Sequence, residues 1–368
     1  MKPVHEILPD TPPLESEGDR PLKFTFENEP DSLIYYHLFE NESARDLLQK
    51  LREDDFAKEH IAPKSGISRS SFSEAINGRG AEQLQYVFQE LCLLSRGIIP
   101  RQYSDMGNIV LTDGSLTDAV LSMYWADYRG NSRKAGGHFG FDLSHGIPSA
   151  VYLTAGKGAE RPFVSRILSP GQTGVMDRGC QCHKLSDSLQ GDGKSFVCRV
   201  RKNTKMGLIT EYPLNPDSHI IFDRLVCLGA SGVSRTEKPV RVVGYRIAGT
   251  EYLIATDRHD LTAEQIALIY KLRWDIEKFF QWWKKHLKVY HLIARSEYGV
   301  MVQLLSGLIT YLLMATYCQR HYDESVSAMR LRQIRIAIHN ELRNPFPDPM
   351  LIFILMLSEN VENPHAKT

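Results

Sequence analysis

The sequence predicts an α/β protein: a mixed-sheet core, a helical region ahead of it and a β-rich insertion within it. Three observations carry this. Residues 100 to 202 contain, in order, three strands, a helix, a strand, a short helical crossover and a strand. Residues 203 to 257 then alternate like strands throughout. Residues 262 to 288 place apolar side chains at helical spacing and read as one long helix.

The chain has 368 residues, 42% hydrophobic and 24% charged, enough for two or three domains with their own cores. No run of about 18 uninterrupted apolar residues predicts a membrane span. The most apolar stretch, 300 to 317, is broken by Gln303, Ser306, Gly307 and Thr310 and reads as a buried helix. The first residues hold no apolar signal-peptide core. Six cysteines (92, 180, 182, 198, 227, 318) form no CxxC framework, so a reducing cytoplasm is the expected setting. The net charge of zero hides an asymmetry. Residues 1–60 carry 15 acidic against 7 basic side chains, and the rest carry 29 against 37. An acidic head on a basic body permits nucleic-acid binding.

Taken in order, residues 1–30 are rich in Pro and Glu with little periodicity and read as an irregular tail. Residues 31–97 read as a small all-helical domain. Ser43 can cap a helix to about 58, carrying Leu47, Leu48, Leu51 and Phe56. Gly66 allows a turn, Ser68 can cap a short helix that Gly78 ends, and a third helix follows from 81 to 96. That arrangement resembles a helix-turn-helix, with Arg69, Ser70, Ser73 and Asn77 free to reach DNA; a plain helical bundle is the other reading.

Asn108 to Ser115 reads as a short apolar strand ending in Asp113 and a turn. Strands at 138–143 and 149–154 flank the turn His145-Gly-Ile-Pro148, and 158–168 suits a helix. Thr173 to Gly179 is a strand ending in Asp177, and 195–201 is a fifth strand. This order resembles an RNase H-like fold, with a core of 100–202 and 258–322. In that fold the first and fourth strands are neighbours, so Asp113 and Asp177 come together at the strand ends. Within 203–257, Gly249-Thr250 offers a hairpin turn. Residues 297–320 form a further helix, and 323–368 is a helical segment of unassigned role.

On the helix over 262–288, Tyr270, Arg273, Glu277 and Lys284 lie at offsets 0, 3, 7 and 14 and share one face with Trp274. An amphipathic helix with an Arg273–Glu277 pair would look the same. The spacing Tyr270-x2-Arg273-x3-Glu277-x6-Lys284 resembles the signature of IS4-type DDE transposases in every type and interval. The resemblance implies that Asp113, Asp177 and Glu277 are catalytic and hold divalent metal. It implies that Tyr270, Arg273, Trp274, Lys284 and Arg178 contact DNA, Trp274 by stacking or else by packing in the core. It further implies a β-rich insertion between the second Asp and the Glu.

Mg²⁺, which prefers hard oxygen ligands, is the expected cofactor, with Mn²⁺ able to substitute. Asp113 in Thr-Asp-Gly-Ser could equally be an ordinary turn residue. Asp118, Asp127 and Asp142 compete with it for the first position; Asp113 is preferred because it ends a strand. Trp282 and Trp283 read as core. Arg199, Arg201, Lys202 and Lys205 form a basic run or a solvated edge. Cys180-Gln-Cys182-His183 lacks a second ligand pair for zinc. His138 and His145 read as structural.

The expectation is a DNA transposase that binds its element's terminal inverted repeats, cuts strands with a metal-activated water and joins them to target DNA. It would act as a homodimer bridging two DNA ends, away from membranes, in a cytoplasmic, nucleoid-associated setting of a bacterium or archaeon. The alternatives are a non-cutting sequence-specific DNA-binding protein and an RNase H-like metal nuclease.

Overall fold

The computed structural model describes residues 1–14, 24–119, 123, 125–129, 132–155, 158–230, 232, 234–289 and 291–343. The expectations for 15–23 and 344–368 lie outside these residues.

The first region is helical: α1 (Lys2–Ile7), α2 (Asn28–Leu38), α3 (Ala44–Glu53), α4 (Arg69–Gly78) and α5 (Ala81–Ile98). The stretch read as an irregular tail therefore contains α1 and the start of α2. Both expected serine caps form: Ser43 accepts from the Asp46 N–H and Ser68 from the Ser71 N–H, each at 3.1 Å. Helix α3 stops at Glu53, short of the expected 58. Asp54 leaves it in an extended conformation, and its carboxylate caps a new turn at the Ala57 N–H, 2.9 Å away.

The sheet begins with β1 (Asn108–Ala119), β2 (Asp127–Arg129), β3 (Ser132–Asp142) and β4 (Ile147–Ala155). Then come α6 (Arg161–Ile167), β5 (Gln172–Met176), α7 (His183–Gly191) and β6 (Ser195–Arg199). The order β4-β3-β1-β5-β6, antiparallel as far as β1 and parallel from β1 to β6, is the RNase H-like topology. The insertion supplies β7 (Met206–Glu211), β8 (Ile220–Ala230), β9 (Ser234–Arg235), β10 (Val240–Ile247) and β11 (Thr250–Thr256). It continues the same sheet, because β11 pairs antiparallel with the free edge of β6. An edge strand's unpaired N–H and C=O groups are satisfied in this way. The hairpin between β10 and β11 turns on Ala248-Gly249, both at positive φ, one residue earlier than expected.

After the sheet come α8 (Ala263–Leu272), α9 (Trp274–Leu287), α10 (Glu297–Tyr322) and α11 (Ala328–Arg343). Successive strand residues point to opposite faces, and each face has its own apolar cluster. Ile109, Leu111, Val175, Val197 and Ile254 face α2 to α5 and α8 to α10. Val110, Met176, Phe196, Cys198, Leu253 and Ala255 face α6 and α7. The buried residues of the N-terminal helices belong to the first of these clusters.

Helix α10 is long and apolar enough to cross a membrane by length and composition, yet 83% of its most apolar stretch is buried inside the protein. It packs on α2, α4, α5 and β4 as the central helix of that face. Helix α9 is fixed to β3 by rings. Phe280 and Trp283 meet Phe139 edge-on at 4.9 and 5.6 Å, and Phe279 meets Phe141 at 5.2 Å. Such pairs contribute roughly 0.5–1.5 kcal/mol each beyond the area they bury. They set the rotation of α9, so its polar face meets β1 at Asp113.

Candidate active site

The parallel rungs between β1 and β5 end at Leu111 opposite Val175. Two residues further along each strand come Asp113 and Asp177, level with one another on adjacent strands. Parallel neighbours lie roughly 4.8 Å apart, so the backbone brings the two positions to one level of the sheet. The two acids stand on neighbouring segments at this level, although β1 does not end at Asp113. The strand runs on to Ala119 and pairs Asp113 with Phe139 on β3. What stops at that level is β5, and its ending opens the space. Of the competitors, Asp142 is occupied by Arg96 at 2.9 Å and His145 at 3.1 Å. Asp118 lies in β1 and Asp127 in β2, with side chains outside the described residues.

The expected single helix is two. Thr262 opens α8 with a reciprocal capping box to Gln265. The helix bends at Arg273, whose N–H reaches back to the Tyr270 carbonyl at 3.2 Å, an i−3 bond. Arg273 faces inward: it is 8% exposed while Trp274, the next residue, is 55% exposed. The Arg273 guanidinium lies between two of the acids, 2.8 Å from Glu277 and 3.7 Å from Asp113. The helical pair thus exists as part of a three-residue bridge that joins α9 to β1. The Arg273 Nε is buried with no hydrogen-bond partner. Burial pushes the Asp113 carboxyl up to about 6, opposed by the Arg273 charge and assisted by Glu160 and Glu277.

The other signature residues surround this bridge. Tyr270 is buried, and its hydroxyl meets Arg273 and Arg199. Arg199 lies over the Tyr252 ring at 4.7 Å, tying the basic run to the cluster. Burial lowers the Lys284 ammonium from its usual range, and the Asp113 charge opposes that shift. Arg178 is exposed in the turn directly after Asp177, whose carboxylate accepts the Gly179 N–H. Arg201, Lys202 and Lys205 are exposed. Trp283 is fully buried and Trp282 packs half-buried on the core, as expected.

Several expectations change. Asn77 is not free for DNA: its Oδ1 accepts from the Ser296 hydroxyl at 2.5 Å, tying α4 to the start of α10. Arg69, Ser70 and Ser73 are exposed. Cys180 is buried, while His183 turns to Ser234 at 2.8 Å, so the Cys-x-Cys-His run does not converge. His138 stacks on Phe163 at 4.2 Å and bonds Thr154 at 2.9 Å. Sequence reasoning missed Glu160, at the start of α6. Its carboxylate, that of Asp177 and the Cys180 sulfur offer atoms within 4.8 Å of one another. Only its position ahead of a short crossover helix could have drawn attention to it.

The donor set is chemically uniform. Asp113, Asp177 and Glu277, with Glu160 beside them, are hard oxygen donors suited to Mg²⁺ or Mn²⁺. Arg273, 2.8 Å from Glu277 and 3.7 Å from Asp113, offsets the charge of those two carboxylates, and the Lys284 charge acts on Asp113.

Residues 108–313 match the family described as transposase DDE domain. Among curated proteins, the chain is 26% identical over 186 residues to one named as a transposase for insertion sequence element IS4SA, from Synechocystis sp., covering 48% of this chain and 51% of that one. It is 28% identical over 229 residues to one named as a transposase for insertion sequence element IS5377, from Geobacillus stearothermophilus, covering 61% of each. The chain thus spans about half to two thirds of the length of these relatives. Among solved structures, a piggyBac transposase synaptic complex with hairpin DNA aligns over the whole chain and 82% of its own, at 12% identity and a TM-score of 0.45.

Proposed function

The chain belongs to the transposase DDE domain family, and on that premise we propose that it is a DNA transposase that cuts and joins strands at the ends of its own element. The observation that carries the reading is the bridge from Asp113 through Arg273 to Glu277, with Asp177 level beside it. Asp113, Asp177 and Glu277 would hold divalent metal, with Mg²⁺ the natural ion and Mn²⁺ able to replace it. A metal held there would supply a nucleophile at neutral pH and offset charge on the attacking and leaving oxygens.

The chain's own groups do the rest. Arg273 has a buried, unsatisfied Nε, a donor that a phosphate oxygen would complete. Its planar fork suits that oxygen geometry, and Lys284 adds a point charge. Tyr270 holds the Arg273 and Arg199 side chains in position and can donate to a phosphate. Exposed Trp274 is free to stack on an unpaired base, and exposed Arg178 to meet the backbone beside Asp177. The surface of α4 carrying Arg69, Ser70 and Ser73 is the proposed reader of the terminal repeats. Two chains would bridge two ends, and the work would be done in the cytoplasm.

The test incubates purified protein with Mg²⁺ or Mn²⁺ and DNA carrying the repeats that flank its gene. Wild type nicks at the repeat boundary, while Asp177→Ala does not nick, and Glu277→Gln binds the ends without cutting. A variant-insensitive nick would refute the assignment of these acids. Binding without nicking under both metals would favour a non-cutting reader, and nicking without joining would leave a nuclease.

A further inference from the structure

We infer that Glu160 is a fourth carboxylate of the metal site, sharing a divalent ion with Asp177. The inference rests on the reading of Asp113, Asp177 and Glu277 as metal ligands, and it extends that reading to a residue on a separate element.

The first observation is distance. Oxygens of Glu160 and Asp177 lie within 4.8 Å of one another. An ion with metal–oxygen bonds of roughly 2.0–2.6 Å holds two ligand oxygens at most roughly 4–5 Å apart, on its opposite sides. The pair is therefore already near bridging separation, and side-chain rotation is sufficient to close it.

The second observation is Gly114. In sequence, Thr-Asp-Gly-Ser reads as a turn, where glycine would supply a positive φ. Gly114 instead lies within β1, opposite His138, and is not among the glycines at positive φ. Its backbone does not require glycine. What a Cβ would meet is the Glu160 carboxylate, 2.4 Å away at Oε1, so the Glu160 side chain would have to move. The missing side chain is the room in which the Glu160 carboxylate rests, against the residue that follows Asp113.

The third observation is how Glu160 is held. Thr112, Asp113, His138, Glu160 and Cys180 line one small cavity. The Cys180 thiol donates to the Glu160 Oε2 at 3.8 Å. Arg161, the next residue, donates through Nε and Nη2 to the Gly179 carbonyl, both at 3.1 Å, and so fixes α6 to the turn that carries Asp177. Glu160 stands at the N-cap of α6, but its side chain makes no capping bond there. The carboxylate is directed to the acids and not to its own helix.

The experiment measures Mn²⁺ binding to the full chain without DNA, counting free ion by electron paramagnetic resonance. Wild type, Glu160→Gln, Gly114→Ala, the double variant and Asp177→Asn are compared. Glu160→Gln keeps shape and removes charge. Gly114→Ala keeps the charge and displaces the carboxylate, so it answers the question if Glu160→Gln does not fold. Each single change is expected to weaken Mn²⁺ binding tenfold or more, and the double variant to bind no more weakly than Glu160→Gln, because both remove the same ligand. Unchanged affinity in Glu160→Gln, with binding lost in Asp177→Asn, would overturn the inference and leave the three-acid site intact. Unchanged affinity in Asp177→Asn, or no binding by wild type, would overturn the three-acid reading and Glu160 with it.

Discussion

Arg273 and Trp274 are neighbours with opposite fates, one 8% and the other 55% exposed. The guanidinium lies 5.4 Å from the indole, which leaves the outer face of the ring to solvent. An exposed tryptophan of this kind contributes little to folding, so Trp274→Ala should change unfolding free energy by less than about 0.5 kcal/mol. If the ring stacks on a base, the same change should weaken binding to an end with an unpaired base by roughly 1–3 kcal/mol and leave fully paired duplex almost unaffected. Equal loss on both DNAs would rule out stacking. At this scale the sequence was informative about residue types and poor about contacts. Tyr270, Arg273, Glu277 and Lys284 were legible because their intervals are local. Glu160 was not, because its importance depends on a glycine 46 positions earlier, on strand β1. Asn77 looked free for the same reason: its partner, Ser296, is 219 residues away.

Among the elements, what is decided locally was legible and what is decided by tertiary contact was not. The start of α8 follows from Thr262 and Gln265, whose reciprocal bonds are 2.9 and 3.2 Å. The bend at its other end does not follow from composition, since Arg273 keeps helical dihedral angles (φ −52, ψ −30). The bridge to Asp113 on β1 and Glu277 on α9 accompanies it, and no local pattern encodes that bridge. Strands were found as apolar runs, but β1 was cut short at Asp113, because a polar Asp-Gly-Ser segment inside a strand carries the signal of a turn. The cap offers a clean measurement. Thr262→Ala should lower stability by about 1 kcal/mol, seen as a reduced urea midpoint at unchanged slope. Because α8 leads directly into Arg273, the variant should also nick DNA more slowly per folded molecule. A stability loss with unchanged nicking would show that the bend is held by the acid bridge alone.

The molecule as a whole is joined by a contact that neither of its parts shows alone. His37, on α2, is fully buried between the Leu287 carbonyl at the end of α9, 2.7 Å away, and the Gln303 carbonyl on α10, 3.2 Å away. Two carbonyls favour an imidazolium, but burial outweighs them and pushes the pKa down to about 4. A base whose pKa is lowered on folding stabilises the fold above its unfolded value, near 6.5. That stability is lost as pH falls from there toward 4, at about 1.4 kcal/mol per unit. Between pH 7 and pH 5 the loss from His37 should be about 2 kcal/mol. Buried Glu29, raised to about 7, acts with the opposite sign, since a carboxylate with a raised pKa loses stability as pH rises. Comparing wild type with His37→Gln cancels that contribution, because Glu29 is present in both. Urea unfolding at the two pH values should show a drop about 2 kcal/mol larger in wild type. Equal drops would mean that folding leaves the His37 pKa unchanged, and a smaller drop in wild type would mean that the imidazole is charged between its carbonyls. The larger drop would mean that the neutral imidazole helps hold α2 to the end of α9, the helix that carries Glu277 and Lys284.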